Sequence, residues 1–426
     1  MLSKEDNDLV TRAGPGTALG ELMRRFWLPI ALSRELARPE GEPVRLKIMG
    51  EALVAFRDSE GHVGLLEEAC PHRQSSLFFG RNEECGLRCA YHGWKFDRNG
   101  NCMDMPSEPQ TSTMKSKIHA KAYPVRERGG LLWAYMGPAG SVAAFPEFDW
   151  LELPASHVYV SRWLAESNYL QALEGEFDTG HVGFLHRNLH AFADSPYHVA
   201  GRYFQEDLVP KWHVEQTDGG MLAAAYRVVD GKALWRWNHF LLPIFSMLSA
   251  EPQRPQFMRA WLPTDDENTS VICISFCYDR PLSDSEIQEF KTGESAHRNV
   301  MPGTLFPVAN RANNYLIDRE VQRTVNYSGI RGIRNQDAAA CESQGIIADR
   351  SREHLGTNDT GVIQLRRCLI NAMRKLATGQ EPAGARRGEL FAIRPGQAHV
   401  PLDLAYHEVD AIHESMKPRQ PVRLAS

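Results

Sequence analysis

Two short segments constrain this chain more than anything else in it: Cys70-Pro-His72 and, sixteen residues further on, Cys89-Ala-Tyr-His92. Each offers one thiolate and one imidazole from a span no longer than a turn. Four donors of this kind serve a metal only if a rigid scaffold presents the two loops side by side. The flanking sequence provides that scaffold. From Pro43 to Pro138, VRLKIMGEALVAF, HVGLLEEA and GGLLWAYMGP read as short strands, with turn chemistry at Asp58-Ser-Glu-Gly61 and Asn99-Gly100. The expected unit is a small all-β module.

The ligand order within each knuckle bears on the metal. Zinc modules mostly pair Cys with Cys in one knuckle and His with His in the other. Here each knuckle is mixed. A Rieske [2Fe–2S] cluster needs that set, because two Cys hold one iron and two His hold the other. Cys85 and Cys102 lie nearby at other offsets and read as small core fillers. Trp94 and Phe96 should pack beneath the second loop. Cys273, Cys277, Cys341 and Cys368 are scattered. Eight cysteines in 426 residues make no disulfide scaffold, so free thiols or ligands in a reducing cytosol are expected.

Beyond Pro138 the pattern becomes α+β. Residues 17–36 read as an amphipathic helix interrupted near Pro29, and 164–190 as containing a helix. MLAAAYRVVD, ALWRWNHFLL, FMRAWLP and SVICISFCYD alternate like antiparallel strands. Val362, Leu365, Leu369, Met373 and Leu376 recur at helical spacing between Asn358-Asp-Thr360 and Gly379. Within EGEFDTGHVGFLHRNLH (174–190), Asp178 and His181 share a face if helical. His186 lies five residues beyond His181, so both imidazoles reach one metal only if the helix ends or distorts, which Gly183 makes easy. Two His and a carboxylate form the facial triad of non-haem iron(II) oxygenases. A chain that carries a one-electron cluster needs such an acceptor. For the third ligand, spacing alone does not choose among Asp337, Glu342, Asp349 and Asp359. His190 and His354 read as surface or packing residues.

A net charge of −5, from 48 basic and 53 acidic residues, argues against nucleic acid or an anionic membrane as main partner. No apolar run reaches the roughly 20 residues of a membrane span, and MLSKEDNDLVTRAG lacks a signal-peptide core. The expectation is a cytoplasmic protein. No GxGxxG follows a strand, so no nicotinamide or flavin site is expected in this chain.

CPHR and CAYHGWKFD closely resemble the Rieske loops of bacterial ring-hydroxylating oxygenases. Asp178-x-x-His181-x4-His186 follows some ninety residues later, as in that family. The chain is identified as resembling the Rieske non-haem iron aromatic ring-hydroxylating oxygenase α subunits. It is most similar to the phthalate dioxygenase branch, in GPGTALGELMRRFWLPIALSREL, NYLQALEGEFDTGHVGFLH and NQDAAACESQGIIADRSREHLGTND. The resemblance implies a Rieske domain at 43–140 inserted after a helical segment of the catalytic domain, 1–42. The catalytic domain resumes at 141–426 as a helix-grip (START-like) unit with an antiparallel sheet. It implies a Rieske [2Fe–2S] cluster on Cys70, His72, Cys89 and His92, mononuclear iron on His181, His186 and Asp337, and a trimer or stacked trimers. In that ring Asp178 would bridge His181 to His72 or His92 of the neighbouring subunit. Electrons would come from NADH through a separate flavin and ferredoxin-type reductase. The substrate would be O2 with an aromatic carboxylate (phthalate-, isophthalate- or phenoxybenzoate-like), and the product a cis-dihydrodiol. A carboxylate in an apolar pocket calls for an Arg fork. Arg202 and Arg236 are the candidates, with Arg227 on the same stretch. Two alternatives are an aryl-ether monooxygenase or O-demethylase of the same family, and a zinc-stabilised binding module.

Overall fold

The computed structural model describes residues 1–189, 202–251 and 253–418. The chain opens with helices α1 (Lys4–Thr11) and α2 (Ala18–Arg24), then strand β1 (Trp27–Leu32). The helix expected over 17–36 therefore stops at Arg24. Pro29 cannot sit inside a helix, but it is accepted where β1 shifts register against its partner between Pro29 and Ala31. Every residue of β1 is buried, so its apolar run carries no period that separates strand from helix.

The all-β module follows: β2 (Val44–Ile48), β3 (Glu51–Arg57), β4 (Val63–Glu67), β5 (Arg81–Glu83), β6 (Gly86–Arg88), β7 (Lys95–Phe96), β8 (Cys102–Asp104), β9 (Val125–Arg128) and β10 (Leu131–Tyr135). These form antiparallel sheets in the orders β2-β3-β4, β5-β6-β7-β8 and β1-β10-β9. VRLKIMGEALVAF is two strands, not one. Met49 and Gly50 both take positive φ (47° and 81°) and turn the hairpin between β2 and β3. On β3, Leu53 and Ala55 join the main core while Val54 and Phe56 join the core under the ligand loops. A strand buried on both faces links the two cores. Cys102 packs in the smaller core, whereas Cys85 is not a core filler: it turns the β5–β6 hairpin at φ 59° and is partly exposed.

The remaining chain is α+β, around an eight-stranded antiparallel sheet. Its strands are β11 (Val158–Ala165), β12 (Lys211–Thr217), β13 (Gly220–Val229), β14 (Lys232–Leu241), β15 (Phe245–Leu248), β16 (Gln256–Pro263), β17 (Thr269–Phe276) and β18 (Gly396–Val400). The order is β11-β17-β16-β15-β14-β13-β12. The edge of β14 away from β13 is shared: β18 pairs with 233–237 and β15 with 239–241. Helices α3 (Tyr169–Glu176), α4 (Val182–Leu185), α5 (Arg202–Glu206), α6 (Asp284–Thr292), α7 (Arg319–Thr324), α8 (Ile333–Ser343) and α9 (Thr360–Ala377) surround it. The long helix over 359–377 forms as its spacing dictates. Asp359 does not cap it through its side chain; its carboxylate accepts the Gly356 N–H at 2.7 Å, in a preceding 3-10 turn. Among the described residues no helix is long and apolar enough to cross a membrane.

Candidate metal centres

The two ligand loops share one backbone design. In the first, Cys70 N–H donates to Ser75 O and Gln74 N–H to Cys70 O, both at 2.9 Å. In the second, Cys89 N–H donates to Trp94 O at 2.8 Å and Gly93 N–H to Cys89 O at 3.0 Å. The residue four beyond each Cys is left-handed, Gln74 at φ 61° and Gly93 at 78°. At Gly93 a Cβ would also lie 2.7 Å from Pro106 Cγ. The loops thus meet as near copies, with the His72 and His92 rings 4.5 Å apart. Trp94 stacks on the His72 imidazole of the opposite loop at 4.2 Å and 11°; Phe96 lies fully in the core below.

Cys70 and Cys89 are buried, and burial, with Cys89 adding to it, pushes the Cys70 thiol up to about 11. A thiol held neutral in this way ionises only with a cation beside it, which suits an iron cluster. Nor do the four donors converge on one point. Among the described residues, only His181, His186 and Asp337 bring three such atoms within 4.8 Å of one another. A single tetrahedral ion would require that convergence; a two-iron cluster needs wider spacing. The zinc alternative is set aside on this geometry.

The second centre lies where α3 breaks. The helix ends at Glu176, so Asp178 is outside it, and the break precedes His181 rather than falling at Gly183. His181 and His186 flank the single turn of α4 as its N-cap and C-cap. Gly183 has a different task from the one its sequence suggests: a Cβ there would lie 2.6 Å from the Phe204 carbonyl. It lets α4 sit on α5. Asp337 arrives from α8. Its Oδ1 lies 3.5 Å from His181 Nε2 and 3.1 Å from His186 Nε2. His181 Nδ1 lies 3.4 Å from Asp178 Oδ2, and His186 Nδ1 2.7 Å from Gln336 Oε1. Each ring therefore turns its other nitrogen toward Asp337, the arrangement outer carboxylates and amides impose on metal-binding imidazoles.

Electrostatics favour a cation here. Burial alone would raise the Asp337 carboxyl, but Arg334, His186 and His181 outweigh it and hold it far below the usual carboxylate range. Burial disfavours charge on His181, yet Asp178 and Asp337 outweigh it and raise its pKa. The residues fit a mononuclear metal. The rival carboxylates are engaged elsewhere. Glu342 accepts from Tyr315 Oη at 2.6 Å and faces Arg298, and Asp349 accepts from Ser351. His354 is exposed and His190 lies outside the described residues.

Both imidazoles open onto a cavity of about 260 Å³, bounded also by Phe204, Leu248, Phe257 and Phe290. Arg236 lines it with Asn238, as the alternation of β14 requires, while Trp235 and Trp237 pack on the opposite face. Arg236 Nη2 donates to the Ser249 carbonyl, and its Nε is buried without a partner. Arg202 opens α5, but its side chain lies outside what the structure describes. Arg227 is not in the cavity: it donates to Thr179 O at 2.9 Å and Asp207 O at 2.8 Å, bracing the loop before His181. Sequence reading missed Gln336, Arg334, Glu176 and Arg259. Only the i,i+3 spacing of Arg334 from Asp337 on one helix signals any of them.

A β module with paired Cys/His loops, joined to an α+β module with a two-His, one-carboxylate centre, defines a two-centre oxygen-activating metalloenzyme. Family comparison agrees. The description "Rieske [2Fe-2S] domain" matches residues 26–124 and "LigXa C-terminal domain like" matches 134–422. The chain is 37% identical to the 3-chlorobenzoate-3,4-dioxygenase oxygenase subunit of Comamonas testosteroni, over 92% of this chain and 93% of that one. It is 35% identical to the phthalate 4,5-dioxygenase oxygenase subunit of Pseudomonas putida, over 90% and 89%. It is 32% identical to the 5,5'-dehydrodivanillate O-demethylase oxygenase subunit of Sphingobium sp. (strain NBRC 103272 / SYK-6), over 90% and 83%. In fold it is similar to dicamba monooxygenase bound to dicamba (TM-score 0.58, 18% identity, covering 84% of this chain and 99% of that one). It is likewise similar to NdmA of Pseudomonas putida CBB5 with caffeine (0.60, 19%, 92% and 100%). The chain belongs to the Rieske aromatic-ring-hydroxylating oxygenase α subunits. It is an oxidoreductase of two cofactors, a Rieske [2Fe–2S] cluster and mononuclear iron, and works within a multicomponent electron-transfer system.

Proposed function

We propose that this oxygenase subunit hydroxylates an aromatic carboxylate, by cis-dihydroxylation, with electrons from NADH through a separate flavin and ferredoxin-type reductase. One observation carries the substrate class: a single cavity holds both imidazoles, an aromatic wall and the Arg236 guanidinium. Relatives named for chlorobenzoate, phthalate and phenoxybenzoate point the same way. In this reading Cys70, His72, Cys89 and His92 hold the cluster, and His181, His186 and Asp337 hold the iron. When bound, these groups supply single-electron transfer and oxygen activation.

The protein's own residues do the rest. Arg236 pairs the substrate carboxylate and so fixes which ring edge faces the imidazoles. Phe257, Phe290 and Leu248 cover the ring faces and exclude water. Asp178 fixes the His181 ring and, in a head-to-tail homotrimer or stacked trimers, reaches a Rieske His of the neighbouring subunit. Within one chain its imidazole partner among the described residues is His181. We take the domains as 1–42 and 141–426 for the catalytic unit and 43–140 for the Rieske unit. The reach of the first helix supports this, since Leu2 N–H donates to Arg350 O and Asn168 Nδ2 to Thr11 O. Eight cysteines without a disulfide among them suit a cytoplasmic setting.

The test is a panel of benzoate, phthalate isomers and phenoxybenzoates, assayed for NADH consumption with a matching reductase and for products by mass spectrometry. Arg236→Ala should weaken binding of the turned-over carboxylate by about 2–5 kcal/mol, because the partner charge is left unpaired. Unchanged affinity in that variant would refute the carboxylate reading. The O-demethylase relative makes a methoxybenzoate the second substrate to try, with formaldehyde as the distinguishing product.

A further inference from the structure

A largely buried charge network stands behind Asp337, the carboxylate that meets the two imidazoles. Asp337 Oδ1 faces the two imidazoles, while Oδ2 lies 2.7 Å from Arg334 Nη2. The other terminal nitrogen of Arg334 donates to Glu176 Oε1, also at 2.7 Å. Glu176 Oε2 in turn accepts from Arg259 Nη1 at 2.7 Å and from Ser246 Oγ at 3.1 Å. Trp261 Nε1 donates to that hydroxyl at 3.0 Å, and Arg259 Nη2 to Ala296 O at 3.1 Å. The side chains of Arg259 and Glu176 are 1% and 2% exposed. Charges alternate along this line, and its far end is anchored in the sheet.

We propose that Arg334 is a positioning residue that restricts Asp337 to one-oxygen coordination of the mononuclear metal. The proposal rests on the reading of His181, His186 and Asp337 as that metal's ligands. Turning Oδ2 toward the metal would break its ion pair with Arg334 Nη2. Arg334 cannot follow the turn, because its planar fork is spread between two carboxylates and Glu176 is fixed from behind. Clamp and ligand sit one turn apart on α8, so they keep their relation if the helix shifts. A one-oxygen carboxylate leaves one more open position on the metal than a two-oxygen carboxylate would. With both terminal nitrogens committed, Arg334 is also not a substrate clamp, although it borders the cavity.

The test uses full-length protein with an intact Rieske cluster and cobalt(II) at the mononuclear centre, read by cobalt K-edge absorption. The cluster's iron does not contribute at that edge. Arg334→Met should show one more oxygen in the first shell than the wild type. Arg334→Lys, which keeps the charge but loses the fork, should show the same gain. Glu176→Gln, which loosens the clamp without removing it, should give a mean count between the two, and it decides the matter if the Arg334 variants do not fold. Equal first-shell counts in wild type and Arg334→Met, each with one cobalt bound, would overturn the proposal. A wild-type count in Arg334→Lys would overturn the role of the fork. Cobalt binding that survives His181→Ala would instead remove the metal-site reading beneath it.

Discussion

A carboxylate beside an imidazole fixes both the ring and the nitrogen that carries its proton. Asp178 does this to His181, and also accepts the Gly180 N–H at 2.8 Å. Asp178→Asn keeps the shape and removes the charge. Elemental analysis should find both metals retained, and the reductase should still reduce the cluster. Single-turnover transfer to the mononuclear centre should fall by about 10- to 100-fold. Unchanged transfer with full metal occupancy would take Asp178 out of the electron path. His181→Ala should abolish turnover and lose mononuclear iron while the red-brown cluster absorption stays, because the two centres draw on separate residues. At this scale the sequence is legible where candidate donors and their partners crowd into one short span: the two Cys/His loops, and Asp178 with His181 and His186. It is much less so for Asp337, since several acids compete between 337 and 359 and only packing eliminates the others. The Glu176 network is not legible at all, because its partners lie 83 and 158 residues away.

At the scale of elements, the mononuclear centre depends on two close approaches. Gly183 presses α4 against the Phe204 carbonyl, and Gly180 sits where a Cβ would lie 2.0 Å from Asn358 Nδ2. The first neighbour is backbone and cannot give; the second is a movable side chain. Gly183→Ala should cost about 1–3 kcal/mol, seen as a lower Tm together with reduced mononuclear iron. Gly180→Ala should be milder and largely restored by Asn358→Ala. Helix α6 borders the cavity with Phe290, and its capping Glu286 also pairs with both terminal nitrogens of Arg280, at 2.6 and 2.8 Å. The Arg280 hydrogen bonds outweigh burial and lower the Glu286 pKa from 4.5 to about 2. A depressed carboxyl stabilises the fold above its unfolded value and loses that contribution as pH falls. The Tm gap between wild type and Glu286→Gln should therefore be full at neutral pH and close between about 4.5 and 2. Sequence patterns reveal long elements such as α9, where periodicity is strong. They fail at β1 and at the break after α3, where burial on all sides or a functional kink overrides local preference.

For the whole molecule, the proposed ring makes electron transfer a property of pairs of subunits. Cys89→Ser should lose the cluster and His181→Ala the mononuclear iron, each leaving an inactive enzyme. Co-expressed, so that both enter one assembly, they should regain part of the activity, since an intact cluster can then face an intact iron centre. Continued inactivity of co-assembled protein would place transfer within single chains. The N-terminal helix has a consequence of another kind. Leu2 bonds to Arg350, Asn7 to Ala348, and Asp6 pairs with Arg374. At roughly 5–20 residues per second of synthesis, α1 waits about 20–70 s for those partners to emerge. During that time the β module can already have closed around its ligand loops. The order in which the chain is made thus allows cluster assembly to precede closure of the cavity, and a nascent chain halted before Arg350 should bind iron and sulfide while its first helix stays open to proteases.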